Sequence, residues 1–147
     1  MKIHVCIIED EEQYSSLLKE MLRKWQDENS AVLPISLFSS GKDFLAEKEL
    51  CFDLVFLDIQ LGGCSGIEIA RRMREQGYEG EIVFLTAYQE YVFEGYNVRA
   101  LNYFLKPIHY EQLDSCMQYV MRRLSASCFV CRHYGDMTRV LYKDILY

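Results

Sequence analysis

The sequence lacks the features that mark exported and membrane proteins. No apolar run approaches the roughly 18 residues that a membrane-spanning helix needs, and no cationic start followed by a long apolar stretch marks a signal peptide. Prolines number only two, and there is a single tryptophan. We therefore expect a cytoplasmic protein whose six cysteines are reduced rather than paired in disulfides.

Several common functional motifs are also absent. The cluster Gly62, Gly63 and Gly66 matches neither GxGxxG nor a Walker motif with its lysine, so we interpret it as a flexible loop. Cys128 and Cys131 have the spacing of zinc ligands, but no second pair completes a site, and we interpret them as strand residues. The three histidines have no acid and nucleophile context for catalysis.

Charge is unevenly distributed along the chain. The net charge is −6, and residues 122–147 hold five basic and two acidic side chains, which leaves −9 on the first 121 residues. An acidic body does not favour direct binding to DNA or RNA. Because 50% of the residues are hydrophobic, the composition predicts one folded domain rather than a disordered chain.

Short apolar runs alternate with helical patterns along the chain. The runs are continuous, which is typical of strands buried on both faces of a parallel sheet. The predicted strands are Ile3–Ile8, Val32–Phe38, Leu54–Leu57, Ile82–Leu85 and Tyr103–Leu105. The predicted helices are centred on Leu17–Trp25, Lys42–Glu47, Gly66–Gln76, Gln89–Gly95 and Leu113–Leu124. This order predicts a three-layer α/β domain with right-handed crossovers.

Pro34 and Gly77 add detail to the predicted fold, the first on strand order and the second on a helix end. Proline cannot donate a hydrogen bond to a ladder, so the second strand should lie at an edge of the sheet. The flavodoxin-like (CheY-like) doubly wound order 2-1-3-4-5 places it there. Gly77 is well placed to end the third helix. We expect one domain over residues 1–125, while residues 126–147 contain two short extended segments that cannot form a core of their own.

Polar residues stand at the ends of the predicted strands. Glu9 and Asp10 follow the first strand, Asp58 the third, Thr86 the fourth and Lys106 the fifth. Parallel sheets bind ligands at this edge. Clustered carboxylates repel one another unless a cation relieves them, and oxygen ligands favour Mg²⁺. With Mg²⁺ present, an ionised Asp58 can attack a phosphoryl group, so the residues predict reversible aspartyl phosphorylation.

Four motifs, taken in order, resemble the receiver domain of bacterial two-component response regulators. They are Ile7-Ile8-Glu9-Asp10-Glu11, Leu57-Asp58, Thr86-Ala87 and Lys106-Pro107. The intervals between their acidic, hydroxyl and ammonium residues are 48, 28 and 20 residues, which fit that family. The resemblance covers about residues 2–125.

The resemblance implies that Asp58 accepts a phosphoryl group from a sensor histidine kinase, itself embedded in a membrane. It implies that Mg²⁺ is held by Glu9, Asp10, Asp58 and the backbone carbonyl of Gln60. Glu9 departs from the aspartate that is commoner at its position, and its longer side chain should still serve. Tyr88 lies where the family controls access of hydrolytic water.

Three further residues receive roles from the same resemblance. Thr86 and Lys106 would hold the phosphoryl group. Tyr103 occupies the aromatic switch position, whose rotamer couples to the Thr86 hydroxyl. By contrast, we interpret Glu11 and Glu12 as acids that complement the dipole of a helix start.

Residues 96–107 and the tail over 129–147 are similar to regulators of the LytTR (LytR/AlgR) type. The resemblance implies that residues 126–147 open a DNA-binding domain that is not contained in this chain, and that the full-length protein controls transcription. The sequence is compatible with a homodimer. Tyr91 and Tyr96 fit two interpretations equally well, ordinary packing of a short helix or a contact face that phosphorylation reorganises.

Two alternative functions fit part of the pattern. A Mg²⁺-dependent phosphohydrolase also uses a nucleophilic aspartate, although such enzymes usually have a second acid where this chain has Gln60. An unphosphorylated pseudo-receiver would act as an interaction module, although such modules typically lack Asp10, Asp58 or Lys106. We expect no enzymatic activity beyond the protein's own phosphotransfer and dephosphorylation.

Overall fold

The computed structural model describes residues 1–47, 51–87 and 98–126. Its central sheet has five parallel strands in the order β2-β1-β3-β6-β7. These strands are β1 (Val5–Ile8), β2 (Ile35–Phe38), β3 (Leu54–Asp58), β6 (Glu81–Thr86) and β7 (Asn102–Leu105). In chain order they are the five predicted strands, so the predicted order 2-1-3-4-5 is confirmed.

Helices cover both faces of this sheet. They are α1 (Glu12–Asn29), α2 (Gly41–Leu45), α3 (Gly66–Glu75) and a last helix over residues 110–126. The predicted helix Gln89–Gly95, the tyrosines Tyr88, Tyr91 and Tyr96, and residues 127–147 lie outside the described residues. Within the described part of the chain, no helix is both long and apolar enough to span a membrane.

Alternate residues of each central strand enter two different apolar clusters. Val5 and Ile7 pack with α1 and the last helix, whereas Cys6 and Ile8 pack with α2 and α3. All four side chains are fully buried. Burial on both faces explains why the sequences of these strands are continuous apolar runs and do not alternate between apolar and polar residues.

Pro34 lies beside β2 at the edge of the sheet, as predicted. Val32 forms an isolated parallel bridge with Lys2, and regular pairing with β1 resumes only at Ile35. Between them, the Pro34 carbonyl accepts a hydrogen bond from the Val5 N–H at 2.9 Å. Proline has no N–H to complete the ladder, so the ladder is interrupted at this residue.

Ser65 caps the start of α3, and Gly77 follows its end. The Ser65 hydroxyl caps its first turn by accepting from the Ile67 N–H at 3.2 Å. Gly77 follows its end with a φ of +93°, a conformation that favours glycine, which confirms the predicted stop. Instead of a loop without regular structure, the connection before α3 contains a short antiparallel hairpin, β4 (Gln60–Leu61) with β5 (Cys64–Ser65).

Gly66, the first residue of α3, packs directly on the end of β3. A Cβ at this residue would overlap the carbonyl oxygen of Asp58 and lie 2.8 Å from its carbonyl carbon. The Gly66 N–H also donates to the carbonyl of Ile59 at 2.7 Å. The absence of a side chain at Gly66 therefore lets α3 approach the backbone that carries Asp58.

We predict that Gly66→Ala lowers the free energy of unfolding by about 1–3 kcal/mol, because the added methyl group meets rigid backbone rather than a flexible side chain. Urea unfolding measures this change. Gly62→Ala is the matched control, because a Cβ there would lie 3.7 Å from the nearest atom, in ordinary contact. The control should change stability by less than about 0.5 kcal/mol. Equal stabilities of the two variants would contradict the prediction.

Candidate functional site

Residues at the carboxyl ends of four parallel strands converge at one edge of the sheet. Glu9 follows β1, Asp58 ends β3, Thr86 ends β6 and Lys106 follows β7. The register of the sheet aligns these ends, for example by pairing Asp58 with Leu85. Glu9, Asp58 and Thr86 are 2%, 3% and 1% exposed, so the site holds charged and polar groups away from water.

Lys106 joins the two buried carboxylates. Its Nζ donates to Glu9 Oε1 at 2.8 Å and to Asp58 Oδ2 at 3.1 Å. Burial by itself would lower the pKa of Lys106, but the hydrogen bond to Glu9 and the charge of Asp58 outweigh it and raise this pKa. The ammonium therefore remains charged. The Lys106–Pro107 peptide bond is cis.

The surroundings of the Glu9 carboxyl group shift its pKa. Burial, reinforced by the neighbouring Asp58 and opposed by Lys106, raises the pKa of Glu9 from 4.5 to about 8. Its Oε2 atom is buried and has no hydrogen-bond partner among the described residues. A buried carboxylate oxygen without a partner is costly, and it is an atom to which a cation or a proton can bind.

Four acidic residues offer oxygen ligands at this edge. Carboxylate oxygens of Glu9, Asp10, Glu11 and Asp58 lie within 4.8 Å of one another. Hard oxygen donors at such spacing suit Mg²⁺, and none of the described residues makes a hydrogen bond to the buried Glu9 Oε2. The residues present therefore fit a divalent cation.

Backbone groups of the β3–α3 connection orient two of these acids. The Gln60 N–H donates to Asp58 Oδ1 at 3.1 Å, and the Gly62 N–H donates to Asp10 Oδ2 at 3.2 Å. Asp10 itself is exposed. The hairpin that follows Asp58 is thus tied to carboxylates from two different strands. The predicted use of the Gln60 carbonyl as a metal ligand stays a prediction.

Thr86 and Tyr103 lie on the neighbouring strands β6 and β7. The Lys106 N–H donates to the Thr86 carbonyl at 2.8 Å, which fixes the end of β7 to the end of β6. The Tyr103 ring packs against Phe84, with 5.2 Å between the ring centroids. Tyr103 is partly buried beside the cluster that α3 covers. Its predicted role as a switch stays a prediction.

The structure adds two residues that the sequence analysis did not place in the site. Glu11 occupies the position before α1 but makes no side-chain cap, and its Oε1 lies 3.9 Å from Lys106 Nζ. The Tyr14 ring centroid lies 4.3 Å from the same nitrogen.

We predict that Glu9→Gln raises the free energy of unfolding of the metal-free protein at about pH 8, by about 1–2 kcal/mol. The amide removes a buried charge beside Asp58, yet its oxygen still accepts from Lys106. An acid whose pKa is raised to about 8 contributes stability below pH 4.5 that is lost as the pH rises towards 8. The gain should therefore shrink at about pH 5.

Urea unfolding with a chelator at the two pH values measures this difference. Glu12→Gln, an exposed change on α1, is the control and should show no such dependence on pH. A gain for Glu9→Gln that is the same at both pH values would exclude burial of the Glu9 charge as its cause.

Comparisons with known proteins agree with this geometry. Residues 5–118 match the model of the family described as response regulator receiver domain. The sensory transduction protein LytT of Oceanobacillus iheyensis is 32% identical over 127 residues, which cover 85% of this chain and 50% of that protein. The LytT protein of Bacillus subtilis is 30% identical, over 79% of this chain and 47% of that protein. The chain thus spans about half the length of these relatives.

Solved structures show the same fold. The receiver domain of DrrB, activated with BeF3, has a TM-score of 0.71 and 27% identity, over 83% of this chain and 99% of that one. The response regulator TrrA from Thermotoga maritima, in complex with Mg²⁺ and BeF, has a TM-score of 0.68 and 29% identity, over 82% of this chain and 99% of that one. The chain belongs to the response regulator receiver domain family.

Proposed function

We propose that this receiver takes a phosphoryl group on Asp58 from a sensor histidine kinase. Mg²⁺ would be held by Glu9, Asp10, Asp58 and the Gln60 carbonyl. The observation that carries the proposal is the buried contact of Lys106 Nζ with both Glu9 and Asp58. It places a cation beside the proposed nucleophile and beside the proposed metal ligands at once.

The proposed reaction transfers a phosphoryl group from a histidine of the kinase to Asp58. One carboxylate oxygen of Asp58 attacks phosphorus, a P–O bond forms, and the bond from phosphorus to the kinase histidine breaks with its electron pair leaving on the histidine nitrogen. Asp58 is suited to this step because its Oδ1 is oriented by the Gln60 N–H and its Oδ2 by Lys106. Bound Mg²⁺ would neutralise the carboxylates and the phosphoryl oxygens.

Lys106 and Thr86 would then hold the new phosphoryl group. The Lys106 ammonium already contacts Asp58 Oδ2 at 3.1 Å, so a small movement of a flexible side chain brings it to an oxygen bound to the same carboxylate. Thr86 is buried at the neighbouring strand end and offers a hydroxyl donor. Preorganised donors of this kind stabilise charge without reorganising at the moment of reaction.

The proposed output is a population shift that reaches Tyr103 through Thr86 and the backbone of β7. Residues 1–125 would form the receiver, and residues 126–147 would open a LytTR-type DNA-binding domain through which the full-length protein binds DNA and controls transcription. The LytT relatives, about twice as long as the matched region, support this division. The proposal places the protein in the cytoplasm, where both kinase and DNA can be reached, and allows a homodimer.

We predict that Asp58→Asn abolishes phosphorylation by acetyl phosphate in the presence of Mg²⁺, because the amide removes the nucleophilic oxygen. Intact-protein mass spectrometry detects the gain of one phosphoryl group. Asp27→Asn, an exposed change on α1, is the control and should be labelled as the wild type is. Labelling of Asp58→Asn at the wild-type level would contradict the assignment of Asp58 as the phosphoacceptor. Sustained multiple turnover of phosphate esters would instead favour a phosphohydrolase.

A second prediction concerns the metal. Asp10→Asn should weaken Mg²⁺ binding roughly tenfold or more, because an exposed carboxylate that accepts from the Gly62 N–H loses its charge. The rise in melting temperature on titration with Mg²⁺ measures the affinity. Asp27→Asn serves again as the control, and equal Mg²⁺ affinities of these two variants would remove Asp10 from the metal site.

A further inference from the structure

The aromatic ring of Tyr14 lies against the ammonium group of Lys106. Tyr14 belongs to the first turn of α1, and its ring centroid is 4.3 Å from Lys106 Nζ. The same nitrogen contacts carboxylate oxygens of Glu9 and Asp58, and the Lys106 side chain is only 5% exposed. The ammonium is therefore enclosed by carboxylates together with an aromatic face.

Core packing does not account for this ring. The apolar clusters of the described residues include Leu18, Leu22 and Trp25 from α1, but not Tyr14. Tyr14 is half-buried, and its hydroxyl makes no hydrogen bond to any described residue. The contact with Lys106 is thus the specific interaction that the described structure gives to this side chain.

An aromatic face and a carboxylate hold an ammonium group in different ways. A carboxylate oxygen accepts an N–H and so competes with any incoming phosphoryl oxygen for that donor. A ring attracts the cation through its quadrupole and occupies none of the donors in this way. When Lys106 turns a donor from Glu9 or Asp58 towards a phosphoryl oxygen, the contact with Tyr14 can therefore persist.

We propose that Tyr14 is a positioning residue for phosphoryl transfer, which holds the Lys106 ammonium at the phosphoryl site through the face of its ring. This inference rests on the proposed phosphorylation of Asp58. It adds a residue from α1 to a site otherwise built from the ends of strands. The aromatic ring, and not the hydroxyl, is the active part of the side chain.

The experiment compares variants that keep or remove the ring. Tyr14→Phe keeps the aromatic face and should phosphorylate with acetyl phosphate within about twofold of the wild-type rate. Tyr14→Leu keeps apolar bulk without the ring, and it should be roughly three- to tenfold slower and bind beryllofluoride with Mg²⁺ more weakly by a similar factor. Tyr14→Met is measured beside it, so that the comparison does not depend on one apolar variant. Urea unfolding of each variant shows whether the fold is intact.

Each outcome of this experiment either supports or overturns the proposed role of Tyr14. Slower phosphorylation by folded Tyr14→Leu or Tyr14→Met, with normal rates for Tyr14→Phe, supports the proposal. Wild-type rates in the apolar variants would overturn it, and so would an equal loss in Tyr14→Phe, which would assign the role to the hydroxyl. If the wild type itself takes up neither phosphoryl group nor beryllofluoride, the proposed function fails and this inference falls with it.

Discussion

A lysine ammonium buried between two carboxylates is the interaction on which the rest of this site depends. Glu9, Asp58 and Lys106 have side chains that are 0%, 4% and 5% exposed, so water screens their charges weakly. Removing Lys106 would leave two buried carboxylates without compensation, whereas removing one acid would leave a carboxylate–ammonium pair. Because there are two acids and one base, the arrangement is also short of positive charge. This shortage accompanies the raised pKa of Glu9 and a buried Glu9 oxygen to which no described residue makes a hydrogen bond.

The sheet makes this arrangement possible by joining residues that are far apart in the chain. Glu9, Asp58 and Lys106 come from the ends of β1, β3 and β7, and each strand is fixed by parallel pairing with its neighbours. The close approach of Gly66 to the Asp58 backbone sets where α3 begins. A rigid frame matters here, because charges without solvent around them are sensitive to small changes in position. The apolar strands thus do more than stabilise the domain, since they set the distances within the site.

The sequence carries enough information to predict the fold and which side chains meet at the carboxyl ends of the strands. Continuous apolar runs predict a parallel sheet, Pro34 predicts the edge strand, and the strand ends predict which side chains meet. The sequence does not contain the directions of flexible side chains. Tyr14 and Glu11 read as ordinary residues of a helix start, because their contacts with Lys106 depend on how α1 sits over the sheet. The packing of Gly66 cannot be predicted for the same reason, since the sequence pattern around a glycine at a helix start does not show which backbone it contacts.

The raised pKa of Glu9 would link protons to metal if this carboxylate holds Mg²⁺ as proposed. Burial and the neighbouring Asp58 raise the pKa of Glu9 to about 8, so this carboxyl group keeps its proton more readily than an exposed one does. A divalent cation held by Glu9 would need the ionised carboxylate, so its binding would displace that proton. That cation would also weaken the hydrogen bond between Glu9 and Lys106, because the cation and the ammonium would compete for the carboxylate oxygens. Metal binding would therefore leave the ammonium more available to a phosphoryl group on Asp58, with the Tyr14 ring limiting how far it moves.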